Sequence, residues 1–240
     1  MVTVRVPATT ANLGPGFDTL GLALALYNTL TFEELAEGLY FEGVDPEYAT
    51  AENLAVVAYK AVLSKLGLPM PGLRISVQAE IPICRGLGSS AALIAAGAAG
   101  ANANHGSPLT RAELLAVCND IEGHPDNLAP AIFGGLVASF VENERPYIAR
   151  YSLHKRLRCT ALIPDFQLST HLARGVLPKE VPYGDAIFNV SRTAVLLRAL
   201  EEGDTETISV SLRDKLHQPF RRTLIPGIDE AEALANSCGC

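Results

Sequence analysis

Apolar and polar residues alternate at the start of the chain with the period of two that is typical of a half-buried strand. Valines occupy every second position over residues 2–6, and we expect Pro7 to end this strand. The same alternation over residues 73–79 predicts another strand, and the apolar stretch over 20–30 predicts a third. Apolar residues with helical spacing over 52–66 predict a surface helix.

Later parts of the chain mix helical and strand patterns. The alanine-rich residues 91–103 predict a helix with small side chains, which we expect to pack deep in the core. Thr110 and Glu113 form a capping-box pattern that predicts the start of the next helix. Further strands are predicted over residues 136–141, 147–153, 157–163 and 166–170, and further helices over 186–200, 205–216 and 228–236. The alanine-rich composition of the first half ends near residue 153, so we expect two domains, residues 1–153 and 154–240.

Charge and composition exclude several classes of partner. The 240 residues carry a formal net charge of −7, and the sequence contains no basic run. We therefore expect neither nucleic acid nor a membrane surface as a partner. No apolar run approaches the roughly twenty residues that a membrane-spanning helix needs. The five cysteines lack a second pair at metal-ligand spacing, which favours reduced thiols in the cytoplasm. The oligomeric state stays open, with a homodimer among the alternatives.

A polar loop follows the first strand. Residues 8–18 place Asn12 and Asp18 around two glycines and a proline, between two predicted strands. These side chains could simply hydrogen-bond their own backbone in a well-made turn. The other interpretation is a binding site, because sites are often built where strands end.

A glycine-rich loop precedes the alanine-rich helix and predicts a phosphate-binding site. Gly86, Gly88, Ser89 and Ser90 allow backbone N–H groups to turn inward at the start of a helix, where unpaired amides and the helix dipole attract phosphate. The sequence is not a Walker A motif, because no Gly-Lys-Ser/Thr is present. A small-residue turn before a buried helix is the alternative interpretation.

Charged residues also cluster at the end of the third predicted helix, over residues 122–127. A Gly-Pro turn that carries solvated acids is one interpretation. Phosphoryl transfer from a nucleotide offers another, since it needs phosphate donors, ligands for Mg²⁺ and a pocket for the acceptor hydroxyl. The Ser90 hydroxyl and the Glu122 carboxylate are the candidate metal ligands.

Three segments together resemble one family. Residues 7–21, 82–92 and 122–131 are similar, in this order, to the homoserine kinase branch of the GHMP small-molecule kinases, which also include galactokinase, mevalonate kinase and phosphomevalonate kinase. The similarity continues through residues 173–178 and 214–221 and so covers essentially the whole chain. It implies an N-terminal domain like domain two of ribosomal protein S5, followed by a ferredoxin-like α+β domain, with ATP and the acceptor bound between them.

The resemblance also implies roles for individual residues. Arg174 and Arg221 match the substrate arginines of the family, and a guanidinium is the natural partner of a carboxylate. Asn12 and Asp18 suit the ammonium end of homoserine, and Asn127 is expected to be the catalytic residue that orients the acceptor hydroxyl. The implied ATP-binding positions are Pro82, Ile83, Cys84, Arg85, Gly86, Leu87, Gly88, Ser89, Ser90, Ala91 and Ala92.

An amide at position 127 cannot act as a base, so the proton is expected to leave late, toward phosphate itself. Asp126 and His124 lie next to it as reserve groups, and His124 could equally be a structural hydrogen-bonding residue. The implied reaction transfers the γ-phosphoryl group of ATP, with Mg²⁺, to the hydroxyl of L-homoserine and gives O-phospho-L-homoserine on the route to threonine.

GHMP kinases carry a third glycine-rich motif near the C-terminus, and residues 233–240 end before it. The chain therefore resembles a C-terminally truncated member of the family with an incomplete second domain. This leaves open a catalytically weak remnant that binds a nucleotide or an amino acid without turnover. Another small alcohol as acceptor is a third alternative, against which the two arginines argue.

Overall fold

The computed structural model of the chain describes residues 1–166 and 168–239. Its strands are β1 (Val2–Ala11), β2 (Leu20–Leu35), β3 (Leu39–Glu42), β4 (Gly72–Ala79), β5 (Leu136–Glu142) and β6 (Arg145–Tyr151). Its helices are α1 (Leu54–Lys65), α2 (Ser89–Asn104), α3 (Arg111–Glu122), α4 (Leu128–Phe133), α5 (Thr170–Gly175), α6 (Tyr183–Glu202), α7 (Thr205–Ser211), α8 (Gln218–Arg221) and α9 (Ile228–Ser237). Within the described ranges, no helix is long and apolar enough to cross a membrane.

The strands form one mixed sheet around β2, its longest strand. Strand β1 pairs antiparallel with one edge of β2, while β4 and β5 share the other edge. The second half of β2 pairs with β4, and only Leu20–Leu22 pair with β5. The start of β2 and the loop before it therefore lie beside β5, close to the short helix α4.

The first strand continues beyond Pro7, contrary to the expectation from the sequence. It runs to Ala11, and its register against β2 shifts between Pro7 and Thr9. Pro7 still pairs with Tyr27, and the extra residues of the irregularity lie in β2, before Tyr27. Strand β1 pairs only with β2, and such an edge strand can hold a residue that lacks an N–H group. The continuation brings Thr9 to the edge of the polar loop.

The core confirms the prediction for the alanine-rich helix. Helix α2 packs against both α1 and the sheet, and most of its residues are buried. A Cβ atom on Gly97 would lie 2.1 Å from the carbonyl oxygen of Ala55, and one on Gly100 would lie 2.5 Å from the ring of Phe32. Larger side chains would push α2 away from both neighbours, which explains why its residues are small.

The second part of the chain differs from the prediction in its strands. Residues 152–166 have no regular secondary structure, so the strand expected over 157–163 is wrong. A strand needs a neighbour for its hydrogen bonds, and no strand follows Tyr151 in the part of the chain that the structure describes. The strand expected over 166–170 includes Gln167, which lies outside the described residues, and α5 begins at Thr170.

Helices account for the rest of this part. Helix α6 is confirmed, and α7 ends at Ser211, five residues earlier than the sequence pattern suggests. The chain leaves the helix because the Asp214 carboxylate accepts hydrogen bonds from the backbone N–H groups of His217 and Gln218, at 2.8 and 2.6 Å. The proposed domain boundary after residue 153 stays a prediction.

Candidate active site

The glycine-rich loop joins β4 to α2 and presents the N-terminus of that helix. Gly88 is the N-cap of α2, with a φ of 67°, and no side chain caps the first turn. Gly86 is also in the left-handed region, with a φ of 70°. The first amides of α2 are therefore open to a phosphate group, as the sequence predicts for this type of loop.

The expected ATP-binding positions do not all face the same way. Ile83 and Cys84 are exposed, whereas Leu87 is buried. The side chains of Ala91 and Ala92 are fully buried in the core, and the amide of Ala92 already donates to the carbonyl of Gly88, at 2.9 Å. The backbone at the start of α2 is thus the part of this segment at the open helix end, and the binding of ATP by residues 82–92 stays a prediction.

The other end of this loop contacts the irregular segment after β6. One Nη of Arg85 donates to the carbonyl oxygen of Asp165, at 2.9 Å, and the amide of Leu168 donates to the carbonyl of Cys84, at 3.2 Å. The half-buried Pro82 precedes these contacts. Residues 82–85 therefore anchor the loop to the second part of the chain.

The two expected metal ligands lie together. Ser90, in the first turn of α2, donates its hydroxyl proton to Oε1 of Glu122, the last residue of α3, at 2.7 Å. A hydroxyl and a carboxylate beside open helix amides form a hard oxygen donor set that suits Mg²⁺ held jointly with phosphate oxygens. No group of three or more His, Cys, Asp or Glu side chains suited to a metal occurs within the described ranges.

The polar loop between β1 and β2 is held by a hydrogen bond between two of its own residues. The backbone N–H of Asp18 donates to Oδ1 of Asn12, at 3.0 Å, and both residues have positive φ angles, 54° and 72°. Leu13 between them has a φ of 40°, an uncommon angle for a leucine. Such backbone is often found at binding sites, where the surroundings hold it in place.

The structure pairs two residues that the sequence analysis assigned to opposite ends of an amino acid. Arg174 donates both terminal nitrogens to the Asp18 carboxylate, at 2.7 and 2.9 Å. This bidentate contact raises the pKa of the Arg174 guanidinium, and the charge of Asp18 adds to the effect. Each side chain is about one-third exposed, so both remain accessible to a small molecule.

Arg221 lies next to this pair. Its Nε donates to the carbonyl oxygen of Ala173, at 3.1 Å. The two terminal nitrogens of the guanidinium are thus left for another partner. Burial lowers the pKa of Arg221, and the nearby charge of Arg174 lowers it further. The two guanidinium carbons lie 5.6 and 5.0 Å from the ring centroid of Phe17. The arginines thus converge on one aromatic ring, and no motif in the sequence indicates this role of Phe17.

The segment that follows α3 is fixed by Asp126. Its Oδ1 lies 2.8 Å from Nδ1 of His124 and accepts the backbone N–H of Asn127 at 2.8 Å. The hydrogen bond with Asp126 raises the pKa of His124 against the effect of burial. A Cβ atom on Gly21 would lie 1.8 Å from the carbonyl oxygen of Asp126, so this segment rests directly on β2. Asp126 therefore shapes the turn.

Asn127 contacts a residue that the sequence analysis did not select. The hydroxyl of Thr9 donates to Oδ1 of Asn127, at 2.8 Å. A Cβ atom placed on Gly88 would lie 3.1 Å from this Oδ1 and 2.0 Å from the Thr9 hydroxyl. The expected catalytic amide is thus next to the N-cap of α2. A buried threonine in a strand carries no signal of its own in the sequence, and the register shift that places it cannot be read there.

A second group of missed residues holds the polar loop to the helices of the second part. Asn189 donates its Nδ2 to the carbonyl of Pro15 at 3.0 Å and to Oδ1 of Asp214 at 2.6 Å. Nε2 of His217 lies 2.8 Å from the carbonyl oxygen of Gly14, and its ring stacks on Phe17 at 5.1 Å. Residues 214–221, noted in the sequence only for a resemblance, therefore fix the loop that carries Asp18.

The chain is similar to several known proteins. Residues 53–135 match the model of the GHMP kinases N terminal domain. A homoserine kinase of Clostridium botulinum (strain ATCC 19397 / Type A) is 48% identical over 225 residues, which are 94% of this chain and 76% of that protein. A homoserine kinase of Moorella thermoacetica is 48% identical over 242 residues, covering the full chain and 82% of its relative.

A solved structure shows the same fold. The crystal structure of homoserine kinase from Cytophaga hutchinsonii superimposes with a TM-score of 0.83 at 27% identity, over 99% of this chain and 79% of that one. The predicted GHMP kinase fold of the α+β class is confirmed. The chain belongs to the homoserine kinase family of the GHMP kinases.

Proposed function

We propose that the protein transfers the γ-phosphoryl group of ATP to the hydroxyl of L-homoserine, giving ADP and O-phospho-L-homoserine on the route to threonine. The names of its relatives and the fold support this activity. The observation that carries it is the approach of Asn127 to the N-cap of α2. A Cβ atom on Gly88 would lie only 3.1 Å from the Asn127 amide oxygen, so a phosphate on the helix and a hydroxyl on the amide would be neighbours.

Homoserine would replace an existing ion pair. Its carboxylate suits Arg174 and Arg221, whose guanidinium groups lie over one ring, and its ammonium suits Asp18. In the structure Asp18 and Arg174 hold each other. When the zwitterion inserts between them, its ammonium would replace Arg174 as the partner of Asp18, and its carboxylate would replace Asp18 as the partner of Arg174. Binding then leaves no charge unpaired. Asn12 fixes the backbone of Asp18 for this exchange.

The acceptor hydroxyl would be oriented by Asn127, which has no basic group. The Asp126 carboxylate is buried and already engaged by His124 and by the Asn127 amide, so it holds the turn rather than taking a proton. A loose transition state needs little help from a base, and the proton can leave late to the phosphate. Open amides of α2 would hold the phosphates.

Ser90 and Glu122 would hold Mg²⁺, whose charge neutralises phosphate oxygens when it is bound. We also propose a cytoplasmic location, since the composition favours reduced thiols, with a homodimer still one alternative. None of the comparisons supports the catalytically weak remnant, and turnover distinguishes the two hypotheses directly.

The deciding experiment is coupled ADP release by the purified chain with ATP, Mg²⁺ and L-homoserine. We expect turnover that depends on homoserine and is lost with the analogue whose carboxylate is reduced to an alcohol, because the two arginines would then lack their anion. ATP binding without turnover would support the remnant instead. Equal turnover of both acceptors would contradict the roles proposed for Arg174 and Arg221.

A further inference from the structure

We propose that Thr9 is a positioning residue that acts through Asn127, an inference that rests on the kinase activity proposed above. Thr9 lies in β1 directly after the register shift, and its side chain is fully buried. Its hydroxyl donates to Oδ1 of Asn127 at 2.8 Å. Because it is enclosed, Thr9 affects an acceptor through the amide and not by touching it.

In the structure, the hydrogen bond holds the oxygen end of the amide toward Thr9. A threonine hydroxyl has a single proton, and here it is given to the carbonyl oxygen of the side chain. With Oδ1 held on the Thr9 side, Nδ2 points away from Thr9 and can donate to the oxygen of an acceptor hydroxyl. A donor at this place orients the hydroxyl oxygen while its proton stays free to leave, which fits a reaction without a base.

Thr9 also connects Asn127 to the phosphate-binding loop. The backbone N–H of Thr9 donates to the carbonyl oxygen of Leu87 at 3.1 Å. The next residue, Gly88, leaves the space that the Thr9 hydroxyl occupies, since a Cβ there would lie 2.0 Å from the hydroxyl oxygen. One residue thus sets the separation between the start of α2 and the amide. In-line transfer depends on that separation, and a small misplacement costs much of the rate.

Two substitutions separate the hydroxyl from the bulk of the side chain. Thr9→Val keeps the shape and loses the hydroxyl, and Thr9→Ser keeps the hydroxyl. We expect Thr9→Val to lower kcat by about 10- to 100-fold, with the KM for ATP changed by no more than about twofold. Thr9→Ser should restore most of kcat. A threonine that only stabilises the strand would lower the melting temperature and leave kcat per folded enzyme unchanged.

A double variant tests whether the effect passes through Asn127. If it does, Thr9→Val combined with Asn127→Ala should be no slower than Asn127→Ala alone, because the amide to be oriented is gone. Losses that multiply would overturn the proposal. So would a Thr9→Ser variant as slow as Thr9→Val, or a Thr9→Val variant with the kcat of the parent chain.

A measurement without turnover keeps this inference separate from the proposed function. In an NMR spectrum, the side-chain NH₂ signals of Asn127 can be identified by their loss in Asn127→Ala. We expect Thr9→Val to shift them and Thr9→Ser to leave them in place. If the Asn127 signals do not shift in Thr9→Val, the contact between Thr9 and Asn127 is refuted, whether or not the enzyme is active. If the signals do shift but the chain shows no homoserine-dependent turnover, only the proposed kinase activity is refuted.

Discussion

At the scale of single residues, the neighbouring side chains of Asp126 and Asn127 are both candidates for the catalytic group, but their surroundings differ. Asp126 is 2% exposed, and its carboxylate binds His124 and the backbone of the next residue. Asn127 is only partly buried, and one end of its amide is held by Thr9. The acid therefore organises the turn, and the amide is the group that can meet a ligand.

This difference predicts the effect of two substitutions on turnover. Asn127→Ala should lower kcat by about 100-fold or more, because the acceptor hydroxyl loses its orientation. Asp126→Asn should cost far less, since an amide oxygen at position 126 can still accept the Asn127 N–H. Steady-state rates with homoserine and ATP measure both. An equal or larger loss for Asp126→Asn would show that the carboxylate takes part in the chemistry.

At the scale of elements, the N-terminus of α2 is the meeting point of three chain segments. Gly88 is the N-cap of the helix, Thr9 comes from β1, and Asn127 comes from the turn before α4. The absence of a side chain at Gly88 allows this approach, and Gly86 in the same loop has open space around its Cα. Two glycines with similar φ angles thus differ only in what surrounds them.

These glycines form a matched pair for a test of the element. Alanine at either position has to adopt a left-handed conformation, at a cost of about 1–2 kcal/mol. Only Gly88→Ala also forces apart Thr9 and the helix, because its Cβ would lie 2.0 Å from the Thr9 hydroxyl. We expect Gly88→Ala to lose about 100-fold or more in kcat and Gly86→Ala to lose much less. Equal losses would mean that backbone strain, and not the contact, matters.

At the scale of the whole molecule, the sequence was sufficient for what is local or periodic. The small side chains of α2 predicted a buried helix. The contact between Ser90 and Glu122 was expected from the chemistry of Mg²⁺ binding and not from a local pattern. Contacts between distant segments were not predictable in the same way. The register shift between Pro7 and Thr9 and the pairing of Asp18 with Arg174 depend on tertiary approach, which no local pattern encodes.

The same reason explains the wrong strand over residues 157–163. Apolar alternation describes a surface that suits a strand, but the strand forms only where a neighbour offers its hydrogen-bonding edge. In the described part of the chain, no strand follows β6 to pair with these residues. The polar links of Asn189, Asp214 and His217 hold the second part to the polar loop instead.

These links make the stability of the molecule sensitive to acid. Burial alone raises the pKa of Asp214, but hydrogen bonds from Asn189, Gln218 and His217 outweigh it and lower the pKa. Burial is the main reason that the pKa of His217 is also lowered. Below its ordinary pKa of about 6.5, the unfolded chain binds a proton on this histidine before the folded chain does. The stability contributed by neutral His217 is therefore present above about pH 6.5 and is lost as the pH falls through its folded pKa.

His217→Gln should make the protein less sensitive to acid, since a glutamine can still donate to Gly14 and does not titrate. Between pH 7.5 and 5.5 we expect the melting temperature of the parent chain to fall more than that of the variant. The extra fall should be about 2–4 °C for each kcal/mol of unfolding free energy that the parent loses through protonation of His217. His124→Gln is the control with the opposite sign, because the pKa of His124 is raised and its contribution is lost as the pH increases through the folded pKa. If the melting temperatures of the parent and of His217→Gln fall equally across this range, the folded state does not lower the pKa of His217 and the prediction is wrong.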